Sequence, residues 1–250
     1  YICVESKING PIEFLGELIT YNGIELYNGV LGDIPKPDII FVLDTPKPDM
    51  IAADKNGLKL LADPTIPKVE IDHHFDADAH TVSKPELSLL LVASSTCEII
   101  AQICYKLNKR PDILQKYGIT ELYSRNIVLA MLTGMLGDAK AGGYLFKKRD
   151  KKIFDYFFNH LNELLVRQRR QDTKNIADAA ELLNIINSLS VAEHKILNKI
   201  LDYSIYDGEI GAIFLDEKAS NMIFMLAEYS QIVGVIKTAT NAIAENAGLI

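Results

Sequence analysis

One acidic residue and two adjacent histidines follow a short apolar run in the segment Val69-Glu70-Ile71-Asp72-His73-His74. The run predicts a buried strand, so we expect the three polar side chains at its carboxyl end. In an open α/β sheet, ligands bind at this end of the strands. A buried histidine pair can also belong to a hydrogen-bond network in the core. The segment is nevertheless the strongest candidate for a chemical site.

Two further aspartates occupy comparable positions. Asp44 follows the apolar run 39–43, which is typical of a strand inside a parallel sheet, and Asp138 follows a long apolar helix predicted over 122–137. Alone, an aspartate after a strand is most often a turn former. Carboxylates combined with imidazoles favour a divalent ion such as Mn²⁺, Fe²⁺ or Zn²⁺ over Ca²⁺. Carboxylates from several strands also suit a two-metal centre, whose natural reaction is the hydrolysis of phosphate esters or anhydrides.

The elements that must position these residues alternate between strand and helix through about residue 140. The predicted strands are 1–5, 24–27, 39–43, 68–71 and 89–92, and the predicted helices are 12–21, 50–61, 97–107 and 122–137. This alternation predicts an α/β fold with a doubly wound parallel sheet.

The composition changes after residue 146, where the segment 147–152 is nearly all charged. Helices are predicted over 153–165, 176–186, 192–203 and 220–229, and strands over 209–215 and 232–238. We therefore expect a first domain over 1–150, a helical connector over 151–190 and a second, smaller α/β domain over 191–250.

The composition limits the classes of function. The chain has 250 residues, 48% of them hydrophobic and 24% charged, with a net charge of −7. This acidic balance argues against a general nucleic-acid scaffold but allows a small anionic substrate held by a metal. Three cysteines in apolar segments favour buried thiols in a reducing compartment over a disulfide framework. Without a signal peptide or a long apolar run, we expect a cytoplasmic protein with no membrane contact.

Three segments together resemble the DHH phosphoesterase superfamily. They are Val69 to His74, Ser94-Ser95-Thr96 at a predicted helix start, and Leu132-Thr133-Gly134-Met135-Leu136-Gly137-Asp138. Their spacing resembles the branch that pairs a DHH domain with a DHHA1 domain. This branch includes oligoribonucleases, phosphatases of adenosine bisphosphate, cyclic dinucleotide phosphodiesterases, exopolyphosphatases and RecJ-like exonucleases. Asp44 resembles the second motif, Asp72-His73-His74 the third and Asp138 the fourth, and the match runs over about residues 39–140.

The resemblance implies a role for each residue. Asp44 would bridge two metals, and His73 and Asp138 would be direct ligands. His74 would lie beside the phosphate as a catalytic residue, and Asp72 would orient the imidazoles. The implied cofactor is Mn²⁺, with Mg²⁺ as the alternative. The implied substrates are small nucleotides, short oligonucleotides or polyphosphate, and stable binding of duplex DNA is not expected. The resemblance also suggests a homodimer.

The sequence departs from the superfamily pattern at two places. The first motif, His-x-x-x-Asp-x-Asp, supplies further metal ligands, but the matching segment 5–11 and the two residues after it contain neither aspartate nor histidine. Glu5 and Glu13 are separated wrongly for that pattern. DHHA1 domains also carry a Gly-rich, histidine-containing segment that grips the substrate, and 205–250 contains no such segment.

These observations leave more than one function open. The leading hypothesis is a metal-dependent phosphoesterase, and the alternative is a catalytically degenerate DHH-fold module that binds a nucleotide or a partner. A third hypothesis, an NAD-dependent dehydrogenase, lacks the Gly-x-Gly-x-x-Gly loop after the first strand.

Overall fold

The structure is a computed structural model that describes residues 1–4, 8, 10–32, 34–45, 47–51, 54–74, 81–138, 148–168, 176, 178–226 and 229–247. Within these ranges, the side chains at 49, 165–168, 229–231, 233–234 and 237 are not described. The chain divides into two compact units, Tyr1–Asn187 and Ser188–Ile250. No helix in the described ranges is long and apolar enough to cross a membrane.

The strands of the first unit pair in parallel in two sheets, β1-β2 and β3-β4-β5. They are β1 (Ile2–Val4), β2 (Leu26–Asn28), β3 (Ile40–Leu43), β4 (Lys68–Asp72) and β5 (Ser88–Leu90). Leu43 pairs with Ile71, and Asp72 pairs with Leu90. The register therefore brings the carboxyl ends of β3 and β4, and the chain that follows β5, to one edge of the sheet.

The helices of the first unit build its core. They are α1 (Glu13–Tyr21), α2 (Lys55–Ala62), α3 (Thr96–Leu107), α4 (Pro111–Lys116), α5 (Arg125–Asp138), α6 (Lys148–Gln168) and α7 (Ala179–Asn187). Helix α5 is apolar nearly all round and lies at the centre, where Leu132 is 0% exposed. A helix of this kind must be covered by its neighbours, because water would otherwise meet apolar surface on every side. Phe157 of α6 and Leu182 of α7 belong to the same buried cluster.

The second unit combines three helices and a hairpin in its described residues. They are α8 (Val191–Leu201), β6 (Ser204–Asp207), β7 (Ile210–Ile213), α9 (Glu217–Phe224) and α10 (Tyr229–Asn246). β6 and β7 pair antiparallel. Gly208 opens the two-residue turn between them with a φ of 58°, a conformation that glycine adopts without steric cost.

The prediction of an α/β fold with parallel sheets is confirmed. One predicted element is wrong, because residues 232–238 form part of α10 rather than a strand. Their β-branched side chains suggested a strand, yet Ile232, Val235, Ala239 and Ile243 recur at helical spacing and are buried. Their burial in the helical packing outweighs the weak intrinsic preference for a strand.

Several boundaries also differ from the predictions. The predicted helix over 50–61 begins only at Lys55, because the side chain of Asp54 caps it by accepting a hydrogen bond from Gly57 N–H. β6 and α4 were not predicted. β3 was expected to be covered on both faces, but in the structure Phe41 is 57% exposed and Leu43 is 44% exposed. An apolar run alone does not tell which of its faces a neighbour covers.

The predicted helical connector over 151–190 contains most of α6 and all of α7. Its helices α6 and α7 contribute Phe157, Leu161 and Leu182 to the buried core of the first unit. The assignment of the two units as a DHH domain and a DHHA1-like domain stays a prediction.

Candidate metal centre

Asp44 lies directly after β3 in an uncommon backbone conformation. Its φ is 57°, and among the described residues it is the one non-glycine residue with a positive φ. Aspartate tolerates this left-handed region better than most residues do. Its N–H donates to Ile71 C=O at 3.1 Å, and its Oδ1 accepts a hydrogen bond from Thr96 Oγ1 at 2.7 Å. These two contacts fix a side chain that is otherwise 54% exposed.

Asp72 organises the two histidines that follow it. Its side chain is buried, and its Oδ1 accepts hydrogen bonds from His73 N–H at 2.6 Å and His74 N–H at 3.1 Å. The same oxygen lies 2.7 Å from His74 Nδ1. A buried carboxylate needs this many donors to offset its loss of water. The contacts of Asp72 support the orienting role that the sequence resemblance implies.

The imidazole of His73 lies between two carboxylates. Its Nδ1 is 3.3 Å from Ala93 C=O, and that carbonyl can only accept, so Nδ1 carries the proton in this contact. In the neutral ring, Nε2 then holds a lone pair. Nε2 lies 3.3 Å from Asp44 Oδ1 and 3.2 Å from Asp138 Oδ2. A cation between these three electron-rich atoms would offset their mutual repulsion.

Asp138 adds to the negative potential at this point because it ends α5. The carboxyl end of a helix carries a partial negative charge from its unpaired carbonyls. A carboxylate there is unfavourable unless a cation lies close by. The side chain of Asp138 is 43% exposed, so a cation can reach it from solvent.

These residues fit a divalent metal ion. Ligand atoms of Asp44, Asp72, His73 and His74 all lie within 4.8 Å of one another. Around an ion with bonds of about 2.1 Å, neighbouring ligand atoms are separated by roughly 3.0–3.4 Å. The separations of His73 Nε2 from the Asp44 and Asp138 oxygens fall within that range. The mixed imidazole and carboxylate set suits a borderline transition metal.

His74 is the second imidazole at the centre. Its ring contacts the His73 ring in a tilted arrangement, with ring centroids 4.3 Å apart. Burial lowers the pKa of His74, but the hydrogen bond from its ring to Asp72 and the charges of Asp72, Asp44 and Asp138 raise it more. The net pKa lies above the usual imidazole value. In this site, the His74 ring therefore stays protonated to a higher pH than a free histidine does. A protonated ring can face an anionic group.

Cys97 lies in the first turn of α3 and faces Gly134 of α5. Burial, and then the negative charges of Asp44 and Asp138, raise the pKa of the Cys97 thiol to about 11. The thiol is thus almost wholly protonated at neutral pH, which makes it a packing group rather than a nucleophile. Cys97 and Cys104 are free thiols, and both residues are partly rather than fully buried.

We expect Cys97 to react about 100-fold more slowly with iodoacetamide in the metal-free native protein at pH 8 than in the urea-unfolded chain, because only the thiolate reacts. The rate should rise about tenfold for each unit of pH until the pH approaches the pKa. Mass spectrometry of the peptide that contains Cys97 measures the rate, with the unfolded chain as its control. Equal rates in the two states would show that the thiol is exposed.

No family profile matches the sequence, and no curated protein matches it. The chain is similar in fold to an exopolyphosphatase-related protein from Bacteroides fragilis. The TM-score is 0.57, the sequences are 12% identical, and the similarity covers 95% of this chain and 71% of the other. At this level of identity, the similarity shows a shared fold. It does not select a branch of the superfamily.

The structure brings together the residues predicted from the sequence. Asp44 and the segment Asp72-His73-His74 lie together at one sheet edge, and Asp138 at the end of α5 lies 3.2 Å from His73 Nε2. Glu13 begins α1 and is exposed, and Glu5 lies outside the described residues. Thr96 was not predicted to touch the site, although its position at the helix start was noted. Only the tertiary structure places its hydroxyl on a carboxylate that lies 52 residues away.

Proposed function

We propose that this protein is a metal-dependent phosphoesterase that hydrolyses phosphate ester or anhydride bonds in small nucleotides, short oligonucleotides or polyphosphate. The observation that carries the proposal is the position of His73 Nε2 between the oxygens of Asp44 and Asp138. The fold similarity to an exopolyphosphatase-related protein supports the same class.

The proposed ligands of the metal are Asp44, His73 and Asp138. A divalent ion held there supplies Lewis-acid charge for a phosphoryl oxygen and lowers the pKa of a water molecule. Asp72 would hold the His74 ring through Nδ1, which leaves Nε2 for the substrate. With Nδ1 held by Asp72, His74 can donate a hydrogen bond from Nε2 to a phosphate oxygen.

The family branch would be the DHH/DHHA1 branch, and the ion would be Mn²⁺, with Mg²⁺ as the alternative. The acidic net charge supports a small substrate rather than duplex DNA. A reducing, cytoplasmic location agrees with the free thiols of Cys97 and Cys104. We also propose a homodimer, on the basis of the superfamily that the motifs resemble.

The test is hydrolysis by purified protein with Mn²⁺, using linear polyphosphate, a dinucleotide and adenosine bisphosphate as substrates. We expect release of phosphate or nucleoside monophosphate from at least one of them, and loss of that activity after treatment with a chelator. The control is the metal-stripped protein reloaded with Mn²⁺, which should regain activity. Inactivity on the whole panel with Mn²⁺, Mg²⁺ and Zn²⁺ would contradict the catalytic proposal.

A second candidate function is a binding or regulatory module. It is favoured by the ligand set itself, since Asp44, His73 and Asp138 suffice for one metal rather than two, and no first-motif aspartate occurs in the matching segment. This function predicts that polyphosphate or a nucleotide raises the melting temperature without being hydrolysed. Turnover of any substrate in the panel would exclude it.

A further inference from the structure

Residues 93–96, which lead from β5 into the first residue of α3, contact the candidate metal centre at two points. At its start, Ala93 C=O lies 3.3 Å from His73 Nδ1. At its end, Thr96 Oγ1 donates to Asp44 Oδ1 at 2.7 Å. These contacts reach two of the three proposed ligands from one short segment. We call residues 93–96 the 93–96 turn.

Each contact restricts the ligand that it touches. The Ala93 carbonyl accepts a hydrogen bond from His73 Nδ1. Nε2 is then left free to bind a cation at the point that it shares with Asp44 and Asp138. Thr96 is 5% exposed, so its hydroxyl sits in a fixed place. Asp44, in contrast, has a 54% exposed side chain that would rotate freely in water. The hydrogen bond from Thr96 thus supplies an orientation that burial does not.

The 93–96 turn is itself held by a buried acid. Glu98 is 0% exposed, and its Oε2 accepts from Ser94 N–H at 2.7 Å and from Ser94 Oγ at 3.0 Å. Its N–H donates to Ser95 Oγ at 3.0 Å, which caps α3. Gln102 Nε2 donates to the other carboxylate oxygen at 2.6 Å. Because both of its carboxylate oxygens accept hydrogen bonds, the Glu98 side chain is fixed in one conformation. Its contacts with Ser94 and Ser95 therefore also fix the backbone of the 93–96 turn.

Arg149 closes this arrangement from α6. Its Nη2 donates to Val92 C=O at 2.6 Å and lies 3.3 Å from Glu98 Oε1. The guanidinium therefore holds the residue before the 93–96 turn and also balances the buried charge of Glu98. Since Arg149 belongs to a helix that packs on α5, the turn is tied to the same core that carries Asp138.

We infer that Thr96 is a positioning residue of the metal centre: its hydroxyl sets the Asp44 carboxylate, from a turn held by Glu98 and Arg149. This inference rests on the metal site proposed above. It assigns a specific task to Thr96 that helix capping does not require, because Ser95 already caps α3.

The test compares Thr96→Val, which keeps the shape without the hydroxyl, with Thr96→Ser, which keeps the hydroxyl. The dissociation constant of Mn²⁺ is measured by electron paramagnetic resonance of the free ion. Loss of a residue that supports a metal ligand weakens metal binding by about 10-fold to 100-fold, which is the expected effect of Thr96→Val. Thr96→Ser should bind Mn²⁺ nearly as the wild type does. Thr96→Ala serves as a second variant without the hydroxyl if the valine variant does not fold.

The matched control is Thr133→Val. Thr133 is also a buried threonine, but its hydroxyl donates to Leu129 C=O within α5 and does not touch the centre. This variant should bind Mn²⁺ as the wild type does. Unchanged affinity in Thr96→Val or Thr96→Ala, or an equal loss in Thr96→Ser or Thr133→Val, would overturn the inference and leave the proposed function intact. Failure of the wild type to bind Mn²⁺, Mg²⁺ and Zn²⁺ would defeat both.

Discussion

Replacing His73 with alanine is expected to remove measurable Mn²⁺ binding. The His73 ring contacts both neighbouring carboxylates through Nε2, so its loss leaves Asp44 and Asp138 without the nitrogen ligand between them. Loss of a supporting residue already costs about 10-fold to 100-fold in affinity, so loss of a direct ligand should cost more than about 100-fold. Titration calorimetry measures the affinity, and circular dichroism checks that the variant is folded.

Asp138→Asn tests the same site without changing its shape. The amide keeps the volume of the side chain but removes one negative charge at the end of α5, so Mn²⁺ binding should weaken as well. Asp112→Asn is the control, because Asp112 is a surface carboxylate that pairs with Arg110 instead. If the His73 and Asp138 variants bound Mn²⁺ as tightly as the control does, the proposed ligand set would be wrong.

Replacing Gly134 with alanine is expected to destabilise the protein by about 1–3 kcal/mol through overpacking. A Cβ at this position would lie 2.1 Å from Cys97 Sγ and 2.9 Å from Cys97 Cβ. Helices α3 and α5 would have to separate to relieve this overlap. Because α3 carries Thr96 and α5 carries Asp138, the separation should also weaken Mn²⁺ binding. Urea unfolding measures the free energy of unfolding.

Gly137→Ala is the matched control for that prediction. Gly137 lies in the same helix, and a Cβ there would meet nothing within 4 Å. The higher helix propensity of alanine should then stabilise the protein by up to about 1 kcal/mol. In the Gly134→Ala background, Cys97→Ala removes the atom in the way and should restore part of the lost stability. If Gly134→Ala and Gly137→Ala had the same effect, close packing of the two helices would not be a constraint.

Much of the fold of the first unit could be predicted from local patterns. The apolar runs before Asp44 and Asp72 indicate strands, and the spacing of apolar residues indicates α3 and α5. The second unit was harder to predict, since residues 232–238 have the composition of a strand but are helical. Sequence patterns within one segment fail there, because the elements that pack against residues 232–238 determine their secondary structure.

The candidate site was predictable in its parts but not in its geometry. The sequence places Asp44, His73 and Asp138 at the ends of elements, and parallel pairing then brings strand ends together. It does not indicate the positive φ of Asp44 or the hydroxyl of Thr96 on its carboxylate. Both are tertiary features, because they depend on how α3 meets β3 and not on the residues next to Asp44 in the chain.

The contacts of His73 with Asp44 and Asp138 join three distant parts of the chain at one point. An ion that occupies this point binds the folded protein and not the unfolded chain, so its binding free energy adds to that of folding. Without the ion, the carboxylate of Asp138 at the end of α5 and the carboxylate of Asp44 repel each other. The resistance of this protein to heat would therefore depend on the dissolved divalent ions around it, quite apart from any reaction that those ions assist.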